Sequence, residues 1–371
     1  MPLFFSVYLD CLRILACSCV YLGHNGLPWL QIINRVEDYY STGYDAVMLF
    51  FVLSGYVIAF AAEQIEKTPR NYIINRFARI VPAAFAAILL SWFLMRMAHD
   101  LLPLAYTDVN QLHHPWHFGF LSLFFLNEVW WNEFTPFQDG AYWSLSYEAW
   151  YYLLYFCLVF LTGRKRYILF LVGLLAAGPK IAFLAPVWFA GVAAYKWRDK
   201  WRLSKKGALF FFVMPAVCYW GLKRMDIQIS NYSMAYHFVG QRIEEFMGHG
   251  LGAAASFVWS YVLALLIIAH IYAARHLPSL RGLETPFWAQ NIKKIAGYTY
   301  SVYIFHMPLA VFFIAVLQRN LEITVNRIAL QIGVLPMIIL LAHATEHQKP
   351  RVRDWLRRRF PEKEKSDIVS Q

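Results

Sequence analysis

The residues of this chain best suited to chemistry sit where charge is expensive. Asp10, Arg13 and His24 fall within one apolar run near the N-terminus. Asp10 and Arg13, at i and i+3, can pair on one helix face, and His24 adds only about 20° of rotation and roughly 16 Å of rise beyond Arg13. All three share a stripe. An ionisable side chain inside a membrane span costs about 2.5–3.5 kcal/mol, so the stripe must face a bundle interior or a polar cavity. An Asp–Arg pair pinning neighbouring helices, with an interfacial histidine, satisfies the same spacing. Four further clusters follow. Gly43, Tyr44 and Asp45 precede FFVLSG at 50–55, where Ser54 and Gly55 permit close helix approach. Arg76 and Arg79, again i and i+3, form an anion clamp suited to phosphate, and equally fit basic residues retained on one side of a membrane. Glu148 closes WSLSYE one turn inside apolar sequence, which demands pairing or acid–base work. His306 lies mid-run before Pro308, where a lone histidine more often satisfies core hydrogen bonds.

The elements that must position these residues are membrane helices. Of 371 residues 59% are hydrophobic and only 15% charged, where a soluble domain carries about a quarter. Apolar runs near 4–24, 43–62, 80–97, 142–162, 167–178, 181–196, 207–222, 253–274, 295–317 and 326–345 predict an all-α polytopic bundle of about ten spans. The fifth and sixth are short and separated only by Gly178, Pro179 and Lys180, which predicts a tight hairpin. The segment 117–130 is too short to span and is expected to be a re-entrant or interfacial external element. The excess of 34 Lys and Arg over 23 Asp and Glu reads as topology rather than nucleic-acid binding. Basic connections at 63–79, 163–166, 196–206 and 275–294, with the tail, all fall on one side, so both termini are expected in the cytoplasm. The chain divides into a membrane domain, 1–348, and a basic tail, 349–371, expected to be surface-bound or disordered. Cys11, Cys17, Cys19, Cys157 and Cys218 all lie in apolar segments, so neither disulfides nor a thiolate metal site is expected. Ile14 to Cys17 weakly resembles a lipoprotein cleavage box, but no basic region precedes it; the first helix is expected to stay attached.

Taken in order, these clusters resemble the acyltransferase-3 family of bacterial integral-membrane O-acyltransferases over about residues 6–350. Asp10, Arg13 and His24 are similar to the family's D-x-x-R-x10-H first helix. FFVLSG at 50–55, RFARIVP at 76–82, WSLSYE at 143–148 and YSVYIFHMP at 300–308 follow in the family's order. Where many members carry an acid two positions before the paired Phe, this chain has Met48, and an acid occurs earlier as Asp45. No soluble esterase-like domain, as some members carry, is expected after the last span. The resemblance implies transfer of an acyl group, usually acetyl, from cytoplasmic acyl-CoA to a hydroxyl of a cell-surface or secreted glycan at the bacterial inner membrane. His24 would be the general base, Arg13 would orient the site or stabilise developing negative charge, and Asp10 would fix Arg13. Arg76 and Arg79 suit the CoA phosphates. Glu148 and His306 are further candidates for acceptor binding or proton relay. Partners beyond membrane lipid, glycan and acyl-CoA, such as a second copy or glycan-synthesis proteins, stay open.

Two motifs point elsewhere. His343, Glu346 and His347 spell H-x-x-E-H, but sit where the last helix leaves the membrane without a third ligand, so no metal is expected. His113, His114 and His117 lie among aromatic residues that suit interfacial anchoring. A glycan or small-molecule transporter or flippase would also use buried Asp, Arg, Glu and His, yet neither an inverted repeat nor matching broken helices are visible. An inactive scaffold in an export complex is disfavoured by intact Asp10, Arg13 and His24.

Overall fold

A backbone in hydrocarbon must satisfy its own polar groups, so each apolar run closes into a helix. The computed structural model describes residues 1–25, 36–101, 109–224, 228–229, 232–233, 239–277, 287–317 and 323–361. The helices are α1 (Leu3–Asn25), α2 (Val36–Gln64), α3 (Pro69–Leu101), α4 (Val109–His113), α5 (Pro115–Leu123), α6 (Trp143–Phe160), α7 (Gly163–Ala177) and α8 (Pro179–Lys196). They continue with α9 (Lys205–Arg224), α10 (Gln241–Met247), α11 (Phe257–His276), α12 (Phe287–Ala296), α13 (Thr299–Leu317), α14 (Ile323–Ala344) and α15 (Lys349–Arg359). The sole strand pairing among the described residues joins 228–229 to 232–233. The protein is an all-α membrane bundle. Each of the ten apolar runs is occupied by a helix: α1, α2, α3, α6, α7, α8, α9, α11, α13 and α14.

Those helices are unequal. Among the described residues four are individually long and apolar enough to cross a membrane: Leu3–Gly23, Thr42–Gln64, Pro69–His99 and Phe257–His276. Phe287–Ala296 with Thr299–Phe313, bent by 41°, make a fifth. The 15 residues of α7 would reach only about 22 Å, so α7 and α8 form the short hairpin that Gly178 and Pro179 foretell. Gly178 has φ +85, and a Cβ there would lie 2.7 Å from the backbone of Trp130. The segment 117–130 thus sits directly on the hairpin turn, with Trp130 N donating to Ala177 O at 3.2 Å. The nine-residue α5 is far too short to span.

The core is where α2 meets α8. A Cβ on Gly55 would lie 2.0 Å from Trp188 O, and one on Gly191 2.0 Å from Val52 O, so two glycines let the backbones touch. Trp188, Tyr56 and Tyr151 are fully buried around this seam. Ion pairs gather the basic connections at one end: Glu63 with Arg198 at 3.2 Å and Asp199 with Arg275 at 2.8 Å. The opposite end is tied by Asp45, which meets Lys223 at 2.6 Å, Trp259 Nε1 at 2.8 Å and Tyr219 OH at 3.0 Å. The described part of the tail is a helix packed on α3 through Val352 and Leu356 against Ile74 and Ala78.

Candidate active site

Five helices carry the sequence motifs to one place. Between α1, α2, α3, α6 and α13 lies a cavity of about 70 Å³, and Arg13, Ser54, Arg79, Ser144, Glu148, Tyr300 and Tyr303 all face it. At roughly 10–15 Å³ per water, that volume accommodates a few waters or a short acyl group. Phe50, Phe51 and Val57 supply apolar wall. On α1, Asp10 braces Arg13 at 3.6 Å, as the i, i+3 spacing requires. The inward line of α1 continues through Cys17, whose thiol donates to Thr299 O of α13 at 3.4 Å, and buried Tyr21.

Glu148 is held, not loose. Its Oε1 accepts hydrogen bonds from Ser54 Oγ at 2.5 Å and from Tyr152 OH one turn along α6. Ser54 therefore binds the carboxylate while its neighbour Gly55 makes the close helix contact. Arg79 lies 5.8 Å from the Tyr300 ring centroid, within electrostatic reach of Glu148 and Glu346. Its Nε and Tyr300 OH are buried without hydrogen-bond partners, so two donors at this cavity are unspent.

Arg76 and Arg79 do not act alike, although i, i+3 spacing puts them on one side of α3. Arg76 pairs with Glu66, and its guanidinium carbon stands 5.5 Å from the Tyr72 ring centroid and 5.3 Å from that of Tyr152. Arg76 is one turn nearer the basic end and already half neutralised; Arg79 faces the cavity.

His306 lies two turns along α13 from Tyr300 and is fully buried. Its Nδ1 sits 2.8 Å from Tyr303 O and 3.0 Å from Val302 O, and its ring centroid is 6.0 Å from that of Tyr21. It belongs to the level above the cavity. Tyr303 links the two levels: its OH donates to Ala141 O at 3.1 Å and receives the Ser144 hydroxyl at 2.6 Å. His24 is the penultimate residue of α1, roughly 16 Å along the axis from Arg13; its side chain lies outside the described residues.

Several contributors were not singled out by sequence. Tyr152 is i+4 from Glu148, a spacing that could have flagged it. Glu346, read as part of a metal-like motif, accepts Ser301 Oγ at 2.8 Å and Ser301 N at 3.2 Å. His343 and His347 instead stack on each other, 4.7 Å between centroids, beside Tyr298. Lys349 follows the same turn. Burial, with the guanidiniums of Arg79 and Arg76 nearby, holds its ammonium down at about 7, against the opposing pull of Glu346. At the opposite end Lys180, fully buried, reaches Glu128 at 3.3 Å and Asn132 O at 2.6 Å, and burial pushes the Glu128 carboxyl up to about 7. Asp45, the acid near the FFVLSG motif, lies away from the cavity in its own network with Lys223.

The converging motifs define a membrane acyltransferase. Residues 6–346 match the Acyl_transf_3 family, described as an acyltransferase domain, and the chain belongs to that family. No curated protein and no solved structure matches it.

Proposed function

We propose that the protein moves an acyl group, acetyl in the first instance, from cytoplasmic acyl-CoA to a hydroxyl of a cell-surface or exported glycan, from a bacterial inner membrane with both termini cytoplasmic. The observation that carries this reading is the single cavity on which Arg13, Arg79 and Glu148 converge, with unspent donors at Arg79 Nε and Tyr300 OH. Attack of a hydroxyl on a thioester builds negative charge on the carbonyl oxygen, and preformed donors in a water-poor site stabilise that charge. Arg13 and the Tyr300 hydroxyl supply them. Asp10 keeps Arg13 extended towards the cavity. Glu148, anchored by Ser54 and Tyr152, fixes the charge balance and can bind an acceptor hydroxyl. His24 is the proposed base; because it lies roughly 16 Å beyond Arg13, either the pantetheine arm threads the bundle to reach it or the acyl group is relayed, and His306 is a proposed relay. Arg76, nearer the basic end, and Arg79 are the proposed contacts for CoA phosphates.

The glycan side of the reading is supported by a second hollow. An open cleft of about 390 Å³ at the opposite end is lined by Gln111, Glu128, Glu133 and Trp143. Carboxyl and amide groups beside an aromatic face suit a polyhydroxylated ligand, and Trp143 precedes cavity-lining Ser144 in α6. The test is mass spectrometry of surface glycans from cells carrying wild type, His24→Ala or no gene. Acylated glycan is expected with wild type alone. Acylation that persists in His24→Ala cells would remove His24 from its role, and a glycan profile unchanged by deletion would remove the acceptor class.

A further inference from the structure

Resting on the donor reading above, we propose that Lys349, carried in by α15, is a phosphate-binding residue of the acyl-CoA site and acts together with Arg76 and Arg79. The register of α15 on α3 leads to it. Arg70, at the start of α3, donates to the carbonyl of Arg357 at 2.7 Å and to that of Phe360, satisfying acceptors that the last helical turn leaves open. Further along, Ile74 and Ala78 pack with Leu356 and Val352. The two helices therefore run antiparallel, residue 70 against 357–360 and residues 74–78 against 352–356. One more turn brings Lys349 to the level of Arg79.

Lys349 of α15 then lies within electrostatic reach of three guanidiniums, Arg76 and Arg79 from α3 and Arg13 from α1, of which Arg13 and Arg79 line the cavity. Asp10 answers Arg13 and Glu66 answers Arg76. Glu346, the carboxylate nearest in sequence to Lys349, is engaged by Ser301. Arg79 and Lys349 make no ion pair among the described residues. Buried nitrogens of Arg76 and Arg79 also lack hydrogen-bond partners. Glu148, within electrostatic reach of Arg79, is likewise held, by Ser54 and Tyr152. A group with several anionic oxygens supplies the direct partner that Arg79 and Lys349 lack, and a phosphate of the donor is such a group.

The electrostatics give a distinctive readout. The same guanidiniums and burial that hold Lys349 near neutrality are offset once an anion arrives, so the amine must gain a proton as the donor binds. The experiment is calorimetric titration of the purified full-length protein with acetyl-CoA at pH 8, in buffers of differing ionisation enthalpy. Wild type is expected to take up close to one proton per acetyl-CoA bound. Lys349→Arg, charged throughout, keeps its affinity within a few-fold and loses the uptake. Lys349→Met loses the uptake and binds roughly tenfold or more weakly. Equal uptake and equal affinity in wild type and Lys349→Arg would overturn the assignment and leave the donor reading standing. Failure of wild type to bind acetyl-CoA would overturn the donor reading, and this inference with it.

Discussion

Arg79 and Arg76 stand one turn apart on the same helix, and replacing each by Met should have different consequences. Arg76 shares an ion pair with Glu66, whose side chain is only 6% exposed. Arg76→Met would leave that carboxylate buried and unanswered, and breaking a buried pair from one side costs about 3–5 kcal/mol. Arg79 makes no ion pair among the described residues and holds a buried Nε without a partner. Arg79→Met removes a cation that stands within electrostatic reach of Glu148 and Glu346 without a direct ion pair, so it should cost less stability than breaking the Arg76–Glu66 pair. Its larger cost falls on donor binding. Loss of a charge-assisted contact to the donor's phosphates weakens acyl-CoA binding by roughly ten- to a hundredfold, about 1.5–3 kcal/mol. The assay pairs thermal unfolding in detergent with release of CoA from acetyl-CoA in the presence of acceptor. Arg76→Met should unfold well below wild type, whereas Arg79→Met should unfold between the two and raise the KM for acetyl-CoA roughly tenfold or more. An Arg79→Met protein that keeps the wild-type KM, or that is less stable than Arg76→Met, would refute the division of labour between the two guanidiniums.

Three other perturbations test separate parts of the fold. Gly191→Leu forces a side chain into space where even a Cβ would meet Val52 O at 2.0 Å, so the α2–α8 seam must open and folded protein should be nearly lost in size-exclusion chromatography. Glu128 has its folded pKa raised to about 7 from an ordinary 4.5, so its contribution is fully present below about pH 4.5 and is lost as pH rises through 7. Between pH 5 and 8 wild type should lose up to about 3 kcal/mol of stability relative to Glu128→Gln in parallel denaturation series, and a constant difference would show that the carboxyl does not titrate there. Asp45→Asn removes the 2.6 Å pair with Lys223 and should cost roughly 2–3 kcal/mol in unfolding, yet leave turnover of the folded fraction within threefold, because that network lies apart from the cavity.

What the chain discloses in one dimension is whatever local physics decides. Hydropathy marked ten runs, each of which holds a helix, because a lipid-facing backbone has no other way to satisfy itself. Gly178 followed by Pro179 disclosed the hairpin, since the turn needs a positive φ and proline suits the first helical turn. The i, i+3 spacing of Asp10 and Arg13 disclosed their pairing. Partners set by tertiary packing were not legible. Asp45 finds Lys223, Tyr219 and Trp259 more than 170 residues downstream. Arg76 and Arg79 look like twins until Glu66, across the α2–α3 turn, takes one of them. The tail reads as a solvated charge run because its apolar stripe is only Val352 and Leu356, and nothing local announces that Arg70 closes its C-terminal carbonyls. Glu346 looked like half of a metal motif because spacing alone cannot show that it bonds Ser301, away from the two stacked imidazoles.

The placement of α13 beside α1 bears on how one helix could serve the two roles proposed for Arg13 and His24. Arg13 and His24 are fixed roughly 16 Å apart by a rigid helix, so no single small group can touch both at once. Along the facing helix, Tyr300, Tyr303 and His306 recur at every third residue, which spans about 9 Å of that distance. Tyr300 stands by Arg79, Tyr303 bonds Ser144, and His306 packs on Tyr21. The Nδ1 of His306 lies within hydrogen-bond distance of two carbonyls of its own helix, Tyr303 O and Val302 O. The polar groups therefore form a ladder through otherwise apolar packing, with hydroxyls at each intermediate rung. Such groups are costly to bury in a membrane protein unless they are partnered, as Tyr303 is by Ser144 and Ala141 O. Their place on the face that meets α1 is what the proposed path between the Arg13 level and the His24 level requires.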